Sequence, residues 1–305
     1  MNYGFIVSYD GSRYEGWQRQ TRTKDTIQGK LEDTLERITG AKGQVIGAGR
    51  TDAGVHALGQ YANVHLQEEY DLKMLQDAWN RALPDDISIH GLAIRDERFH
   101  SRFSAVEKHY RYCIRVGAEK NVFRRRYVWQ LGEALDVEAM RRGAAFLTGT
   151  HDFTSFCGNR HFKKSAVRSI SDISLSLSGG ELIIDYRGSG FLQNMIRIIT
   201  GTLVEIGEGK KNAGQMPFWK QRTGARQDLR RRPRDWFWWK WSIDFGKSVF
   251  HVWRMVCGKI YQPLSRWSAL SSMGGQAISP GLPEKPILPS LLSAPRSSIW
   301  SAFWE

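Results

Sequence analysis

Apolar and polar positions alternate with two different periods along the first 217 residues. Residues 2–9 form a short, β-rich apolar run typical of a buried strand. Residues 25–38 carry apolar side chains at helical spacing, with Asp25 and Gln28 placed as a capping box at their start. The other elements predicted here are strands at 44–48, 60–66 and 87–94 and a helix at 71–82. The first half is therefore predicted to have the order β-α-β-β-α-β.

The second half repeats most of this order. Residues 107–116 alternate, with Tyr110 and Tyr112 on one predicted face and His109 and Arg111 on the other. The other elements predicted here are helices at 136–147 and 190–206 and strands at 167–177 and 181–187. The order is β-α-β-β-α, so the pattern predicts that the final strand is missing. An α+β fold of two ferredoxin-like (RRM-like) halves follows.

Composition changes abruptly near Pro217. The 305-residue chain carries 44 Lys and Arg against 31 Asp and Glu, a net charge of +13, which favours a polyanionic partner such as nucleic acid over an acidic membrane surface. However, residues 218–305 alone hold 14 basic against 5 acidic residues and 9 of the 12 Trp. Charge is therefore a weak guide here, and the case for function depends on residues 1–217.

Residues 235–243, DWFWWKWSI, suggest why the composition changes. Trp has a single codon, and moving the reading frame back by one base lets this segment encode GLVLVEVEY, which alternates as a strand should. We interpret residues 218–305 as the product of a frameshift near Pro217, with a Pro-rich, disordered stretch at 280–295. The alternative is a genuine Trp- and Arg-rich tail.

Several classes of protein are excluded by simple counts. No apolar run reaches 18 residues, so no transmembrane helix is expected, and the N-terminus lacks the pattern of a signal peptide. Three cysteines without CxxC spacing exclude a disulfide scaffold and a zinc ribbon, and they fit a reducing cytosol. We therefore expect a cytoplasmic protein that does not bind membranes.

The loop at 49–57, GRTDAGVHA, is the most unusual segment of the chain. Its glycines allow a sharp turn or a close approach of the backbone to a ligand. Asp52 within it could be a nucleophile, a general base or a cap, although an isolated Asp in a Gly-rich loop is most often a turn residue. No Lys-Ser/Thr follows the last glycine, so the loop is not a P-loop, and no metal-ligand spacing surrounds it.

A series of short motifs runs from residue 3 to Pro217. In chain order they include Tyr9-Asp10-Gly11, Gly16-Trp17-Gln18, Thr26-Ile27-Gln28, Gly49 to Ala57, Leu83-Pro84, Phe99-His100, Arg102-Phe103-Ser104, Lys108 with Tyr110 and Tyr112, His151-Asp152-Phe153, Val167-Arg168, Gly190-Phe191-Leu192 and Met195-Ile196-Arg197. Together these motifs resemble the tRNA pseudouridine synthases of the A type. The resemblance ends at Pro217.

The resemblance implies an isomerase with the pseudouridine synthase fold. Residues 1–104 would form the catalytic half and residues 105–217 the second half, with a mostly antiparallel central sheet and the active site in the cleft between them. The implied reaction converts uridine to pseudouridine at positions 38, 39 and 40 of the tRNA anticodon arm, after the base has left its stack. No metal or cofactor is implied, and the expected assembly is a homodimer with one tRNA across both subunits.

The same resemblance assigns roles to four residues. Asp52 would be the catalytic nucleophile, and Tyr110 would pack on the target uracil. Arg197 would pair with Asp52, and Arg50 would contact RNA beside the flipped base. From pattern alone, Tyr110 is better explained as a core aromatic. Arg50 has a surface residue as its alternative interpretation, and Arg197 is either a solvated residue or the partner of a buried acid.

Further RNA contacts are expected from basic residues along the cleft. The candidates are Arg19, Arg22, Lys24, Arg81, Arg102 and Lys108, each of which is at least as well explained as a solvated side chain. Two other functions remain open from sequence. The chain could be an RNA-binding protein without chemistry, or the inactive product of a frameshifted gene.

Overall fold

The computed structural model describes residues 1–159 and 162–216 and the backbone of residues 237–243. These residues belong to one compact unit, Met1–Met255. No helix among them combines the length and the apolar character needed to cross a membrane.

The first half has the predicted order β-α-β-β-α-β. Its elements are β1 (Asn2–Tyr9), α1 (Ile27–Thr39), β2 (Ile46–Gly47), β3 (Ala57–His65), α2 (Leu72–Ala82) and β4 (Ile87–Arg95). The predicted cap of α1 is wrong. Thr26, in an extended conformation, is the N-cap, and its Oγ1 accepts a hydrogen bond from the Gly29 amide at 3.2 Å. Asp25 instead forms a salt bridge with Lys30 at 2.9 Å.

The second half contains the predicted elements and two more short strands. Its elements are β5 (Ala105–Arg115), β6 (Trp129–Gln130), α3 (Val137–Ala145), β7 (Gly149–Asp152), β8 (Val167–Ser178), β9 (Glu181–Gly188) and α4 (Met195–Gly207). The predicted start of α4 at residue 190 is wrong by five residues. Asn194 precedes the helix with a left-handed backbone (φ 58°), so the helical conformation does not extend back to residue 190, and Phe191 and Leu192 lie in a loop.

One sheet joins the two halves, in the order β4-β1-β3-β10-β5-β9-β8-β7. Strand β10 (Phe237–Ile243) lies at its centre, parallel to β3 and antiparallel to β5. The prediction that the final strand is missing is therefore wrong. Although the frameshift hypothesis treats this segment as aberrant, FWWKWSI is rich in residues that favour extended backbone. The sheet is mostly antiparallel, as expected.

Aromatic side chains pack between the helices and this sheet. In the first half the rings of Phe5 and Trp79 lie 4.9 Å apart, and Trp79 donates from its indole N–H to Leu31 O and Thr34 Oγ1. In the second half the hydroxyls of Tyr186 and Thr200 hydrogen bond at 2.8 Å, linking β9 to α4. Each such buried aromatic contributes about 1.5–3 kcal/mol, so the elements that carry the candidate site are firmly supported.

Candidate active site

A cleft of about 780 Å³ opens between the halves. Its walls include residues 49–53 from the loop before β3, Lys108 and Tyr110 from β5, and residues 191–197 at the start of α4. The cations lining it are Arg22, Arg50, Arg102, Lys108, Arg168 and Arg197, against the acids Glu15 and Asp52. This imbalance gives the cleft a positive potential suited to a polyanion.

Asp52 lies on a turn that the N-terminal segment holds in place. The Asp52 carbonyl accepts from the Val55 amide at 3.3 Å, closing the turn, and Gly54 within it has φ 78°. On one side the Trp17 amide donates to Thr51 O at 3.1 Å, and on the other the Gly54 amide donates to Tyr14 O. The sequence motifs around residues 9–18 thus support the turn that carries Asp52.

Close packing makes this support rigid. A Cβ on Gly16, which has φ 100°, would lie 2.6 Å from Thr51 O, so only glycine fits against the turn. The buried hydroxyls of Tyr9 and Thr51 hydrogen bond at 3.0 Å. Thr51 is therefore fixed through both its backbone and its side chain, and Asp52 follows directly after it.

Arg197 meets Asp52 from the opposite wall. Its Nε lies 3.8 Å from Asp52 Oδ2, and the two side chains are 31% and 45% exposed. At this distance and exposure the pair is an electrostatic contact across the cleft rather than a close bidentate bridge. It leaves the Asp52 carboxylate accessible to a ligand while holding a cation beside it.

Tyr110 forms the buried wall next to Asp52. Its ring packs edge-on against Phe191, with centroids 4.7 Å apart and an interplanar angle of 69°. Burial raises the pKa of the Tyr110 phenol well above its ordinary value, and the neighbouring Asp52 and Tyr9 act in the same direction. Tyr110 therefore remains a neutral aromatic surface in the cleft. Phe191 lay within the helix predicted at 190–206, and the sequence did not single it out for the site.

Lys108 is a half-buried basic residue of the cleft. Its Nζ donates to Ala48 O at 3.2 Å. Burial, reinforced by repulsion from Arg102 and Arg168, lowers the pKa of Lys108 to about 8. A phosphate that binds beside Lys108 supplies the opposite charge and therefore stabilises its ammonium form. Arg168 belongs to a recognised motif, but sequence reasoning did not select it as a cleft residue.

The other basic candidates are distributed unevenly. Arg22, Arg50 and Arg102 line the cleft, and Arg22 also pairs with Glu15 at 2.8 Å. Arg19 and Lys24 line a neighbouring cavity beside α1, where Arg19 pairs with Glu32 and Asp33. Arg81 lies in the last turn of α2 and does not line the cleft.

No metal site is found in the described part of the chain: residues 1–159 and 162–216 contain no group of three or more His, Cys, Asp or Glu placed to hold an ion. The chemical groups that the cleft does offer are the Asp52 carboxylate, a second carboxylate on Glu15 that is paired with Arg22, the neutral aromatic wall of Tyr110 and several cations. This set can bind an anionic ligand, stack a planar ring and present a nucleophile or base to it.

Comparisons with known proteins agree on one family. The sequence profile of a family described as tRNA pseudouridine synthase matches residues 5–104 and 144–229. Proteins named tRNA pseudouridine synthase A match from Bacillus sp. (strain KSM-64), 42% identical over 70% of this chain and 88% of that protein, and from Brevibacillus brevis, 43% identical over 69% and 86%. A third, from Halalkalibacterium halodurans, is 44% identical over 70% and 81%.

Among solved structures, a Cbf5-Nop10-Gar1 complex covers 67% of this chain and 45% of the matched chain at 11% identity, with a TM-score of 0.31. That likeness is too weak to carry an argument.

The family profile reaches residue 229, twelve residues past the point where the motifs end at Pro217.

Proposed function

This chain belongs to the tRNA pseudouridine synthase family, and we propose that it isomerises uridine to pseudouridine in tRNA with Asp52 as its catalytic carboxylate. The observation that carries the proposal is the contact of Asp52 with Arg197 across a basic cleft, beside the ring of Tyr110. A protein that only binds RNA has no need of a carboxylate facing the polyanion.

The proposed chemistry uses only this chain's side chains. Tyr110 packs on the flipped uracil, and Asp52 acts as the nucleophile while the glycosidic bond between C1′ and N1 breaks. The uracil anion then turns within the cleft, C5 attacks C1′ and displaces the Asp52 carboxylate from it, the C5 proton is released to water, and N1 takes up a proton. Arg197 keeps a positive charge beside Asp52 throughout, and Arg50 contacts RNA next to the flipped nucleotide.

The decisive experiment measures tritium release from tRNA whose uridines carry tritium at C5. Wild type should release tritium, whereas Asp52→Asn should release none and still bind tRNA, because the substitution preserves the shape of the side chain. Release by both proteins would remove Asp52 from the chemistry. Binding without release by either would favour the RNA-binding protein, and an insoluble or non-binding chain would favour the inactive product.

We propose uridines 38, 39 and 40 of the anticodon arm as the targets, and a cytoplasmic homodimer as the working form. The support is the motif resemblance over residues 3–217. Mapping pseudouridine in reacted tRNA tests the positions, and light scattering of the purified chain tests the dimer. Modification confined to other uridines, or a monomer that turns over normally, would overturn these two proposals separately.

We also propose that residues 218–305 are read in a shifted frame. The support is the Trp-rich composition after Pro217 and the alternating strand that the minus-one frame allows at 235–243. Resequencing the gene tests whether the reading frame shifts near Pro217. A minus-one frame that stops, or that encodes no alternating segment there, would show that the tail is genuine.

A further inference from the structure

A small polar cluster connects the second half of the chain to the turn that carries Asp52. The Tyr127 hydroxyl donates to Asp10 Oδ2 at 2.7 Å, and Asp10 Oδ1 lies 2.9 Å from Nδ1 of His56. The Tyr127 ring also packs on the His56 imidazole, with centroids 5.1 Å apart. Tyr127 lies between β5 and β6, 117 residues from Asp10 in sequence, so these contacts cross between the halves.

The cluster is packed directly against the turn. His56 is 1% exposed and follows Asp52 by only four residues. Next to Asp10, a Cβ on Gly11 would lie 1.9 Å from Val55 O, so the two backbones touch without any space between them. A displacement of Asp10 or His56 is therefore passed on to the turn, since close-packed backbone has no free volume to absorb it.

Charge favours Tyr127 as the donor in this cluster. Burial acts to raise the pKa of Asp10, but hydrogen bonds from Ser12 and Tyr127 outweigh it, so the pKa is lowered and Asp10 is an anion. The hydrogen bond to Asp10 raises the pKa of Tyr127, which keeps its proton. Burial lowers the pKa of His56, against the opposing effects of Asp10 and of the Arg126 carbonyl. At neutral pH an anion is thus held by a neutral phenol beside a neutral imidazole.

We infer that Tyr127 is a positioning residue for the reaction: its hydroxyl fixes Asp10 and, through Asp10 and His56, lets the second half set the position of Asp52. This inference rests on the proposed function of Asp52. It also explains why a tyrosine outside the cleft lining is bonded to the Tyr9-Asp10-Gly11 motif.

The test compares two variants that each remove one hydroxyl bonded to a charged group. Tyr127→Phe keeps the ring on His56 but loses the bond to Asp10. Tyr61→Phe is the matched control, because it loses a bond of the same 2.7 Å length, from Arg95 Nε to the Tyr61 hydroxyl. Tyr127→Phe should lower the single-turnover rate about tenfold, the order expected for a slightly misplaced reactive group, with little change in tRNA affinity. Tyr61→Phe should leave the rate within about twofold.

Two further results distinguish a positioning role of Tyr127 from a purely structural one. Combining Tyr127→Phe with Asp10→Asn should cost no more activity than the worse single variant, because both act through one bond. Equal rate losses in Tyr127→Phe and Tyr61→Phe at equal loss of thermal stability would overturn the inference in favour of a structural role only.

Hydrogen exchange separates this inference from the proposed function. In Tyr127→Phe the peptide covering residues 49–57 should exchange faster, while peptides from α4 should not change, and Tyr61→Phe should alter neither. This readout needs no turnover. If wild type is inactive on tRNA, the proposed function fails, but the exchange pattern still shows whether Tyr127 holds the turn; unchanged exchange at 49–57 would overturn the inference.

Discussion

Arg197 Nε lies 3.8 Å from Asp52 Oδ2, although the two residues come from opposite halves of the chain and are 145 positions apart. The turn at 52–55 brings the carboxylate from the first half, and the first turn of α4 brings the guanidinium from the second. Because both side chains are partly exposed, the contact between Arg197 and Asp52 contributes little to the stability of the fold. Its main effect is on the binding and reaction of a ligand in the cleft.

Replacing Arg197 should therefore affect turnover far more than stability. We expect Arg197→Gln to lower the single-turnover rate about 100-fold, because the charge beside Asp52 is lost, while the free energy of unfolding changes by less than about 1 kcal/mol. Arg197→Lys should retain more activity than Arg197→Gln because it keeps the charge. Tritium release and urea unfolding measure the two quantities. A large stability loss with normal turnover would contradict the role in the cleft.

The pH dependence of tRNA binding should report Lys108. Its pKa is lowered to about 8 by burial and by Arg102 and Arg168, so Lys108 loses its charge as the pH rises through that value. Affinity for tRNA should be highest below pH 8 and should weaken above it. In Lys108→Arg the guanidinium stays charged, so its affinity should be nearly flat between pH 7 and about 9.5. Parallel pH curves for the two proteins would remove Lys108 from RNA binding.

Tyr110 should act through its ring more than through its hydroxyl. Because burial keeps the phenol neutral and the ring packs on Phe191, Tyr110→Phe should retain stability and tRNA affinity. Tyr110→Ala should cost about 3–5 kcal/mol of stability, the usual cost of removing a buried aromatic, together with most of the turnover. Thermal melting and tritium release on both variants test this. Full activity in Tyr110→Ala at a temperature where it is folded would contradict the stacking role.

The structure also shows how far sequence could predict this fold and site. Apolar periodicity predicted every α-helix and most strands of the two halves, because it records which face each element buries, but it did not predict β6, β7 or β10. It missed the start of α4 at Met195, because a single residue such as Asn194 with a left-handed backbone does not change the spacing of the apolar side chains. It also missed Tyr127 and Arg168, whose positions depend on contacts between segments far apart in the chain. The glycine-rich loop drew attention to Asp52, but its proposed catalytic role came from the resemblance to the pseudouridine synthases, because the loop pattern alone favours a turn residue.

Stability should fall on the acid side of neutrality. Burial lowers the pKa of His56 below 6.5, so the unfolded chain binds the proton first as the pH falls. The stabilisation is complete above about pH 6.5 and is lost as the pH falls through the lower folded value. His90 shifts in the same direction through burial, so it contributes to the same loss. Urea unfolding at pH 7.5 and 5.5 measures how much the free energy of unfolding falls with pH. This fall should be smaller in His56→Gln than in wild type, and His90→Gln measures the contribution of His90. An unchanged difference in His56→Gln would contradict the assignment.

Two glycine substitutions should separate support of the turn from general backbone strain. Gly16 and Gly40 both have positive φ, 100° and 72°, so an alanine at either position is strained. At Gly40, the C-cap of α1, no atom lies within 4 Å of the added Cβ, and Gly40→Ala should cost about 1 kcal/mol without changing turnover. At Gly16 the added Cβ meets Thr51 O at 2.6 Å, so the residue before Asp52 must move. Gly16→Ala should therefore lose at least tenfold in single-turnover rate, because even a small displacement of a reactive group is costly. Comparable turnover in the two variants would mean that the position of Asp52 does not depend on its contact with the Gly16 backbone.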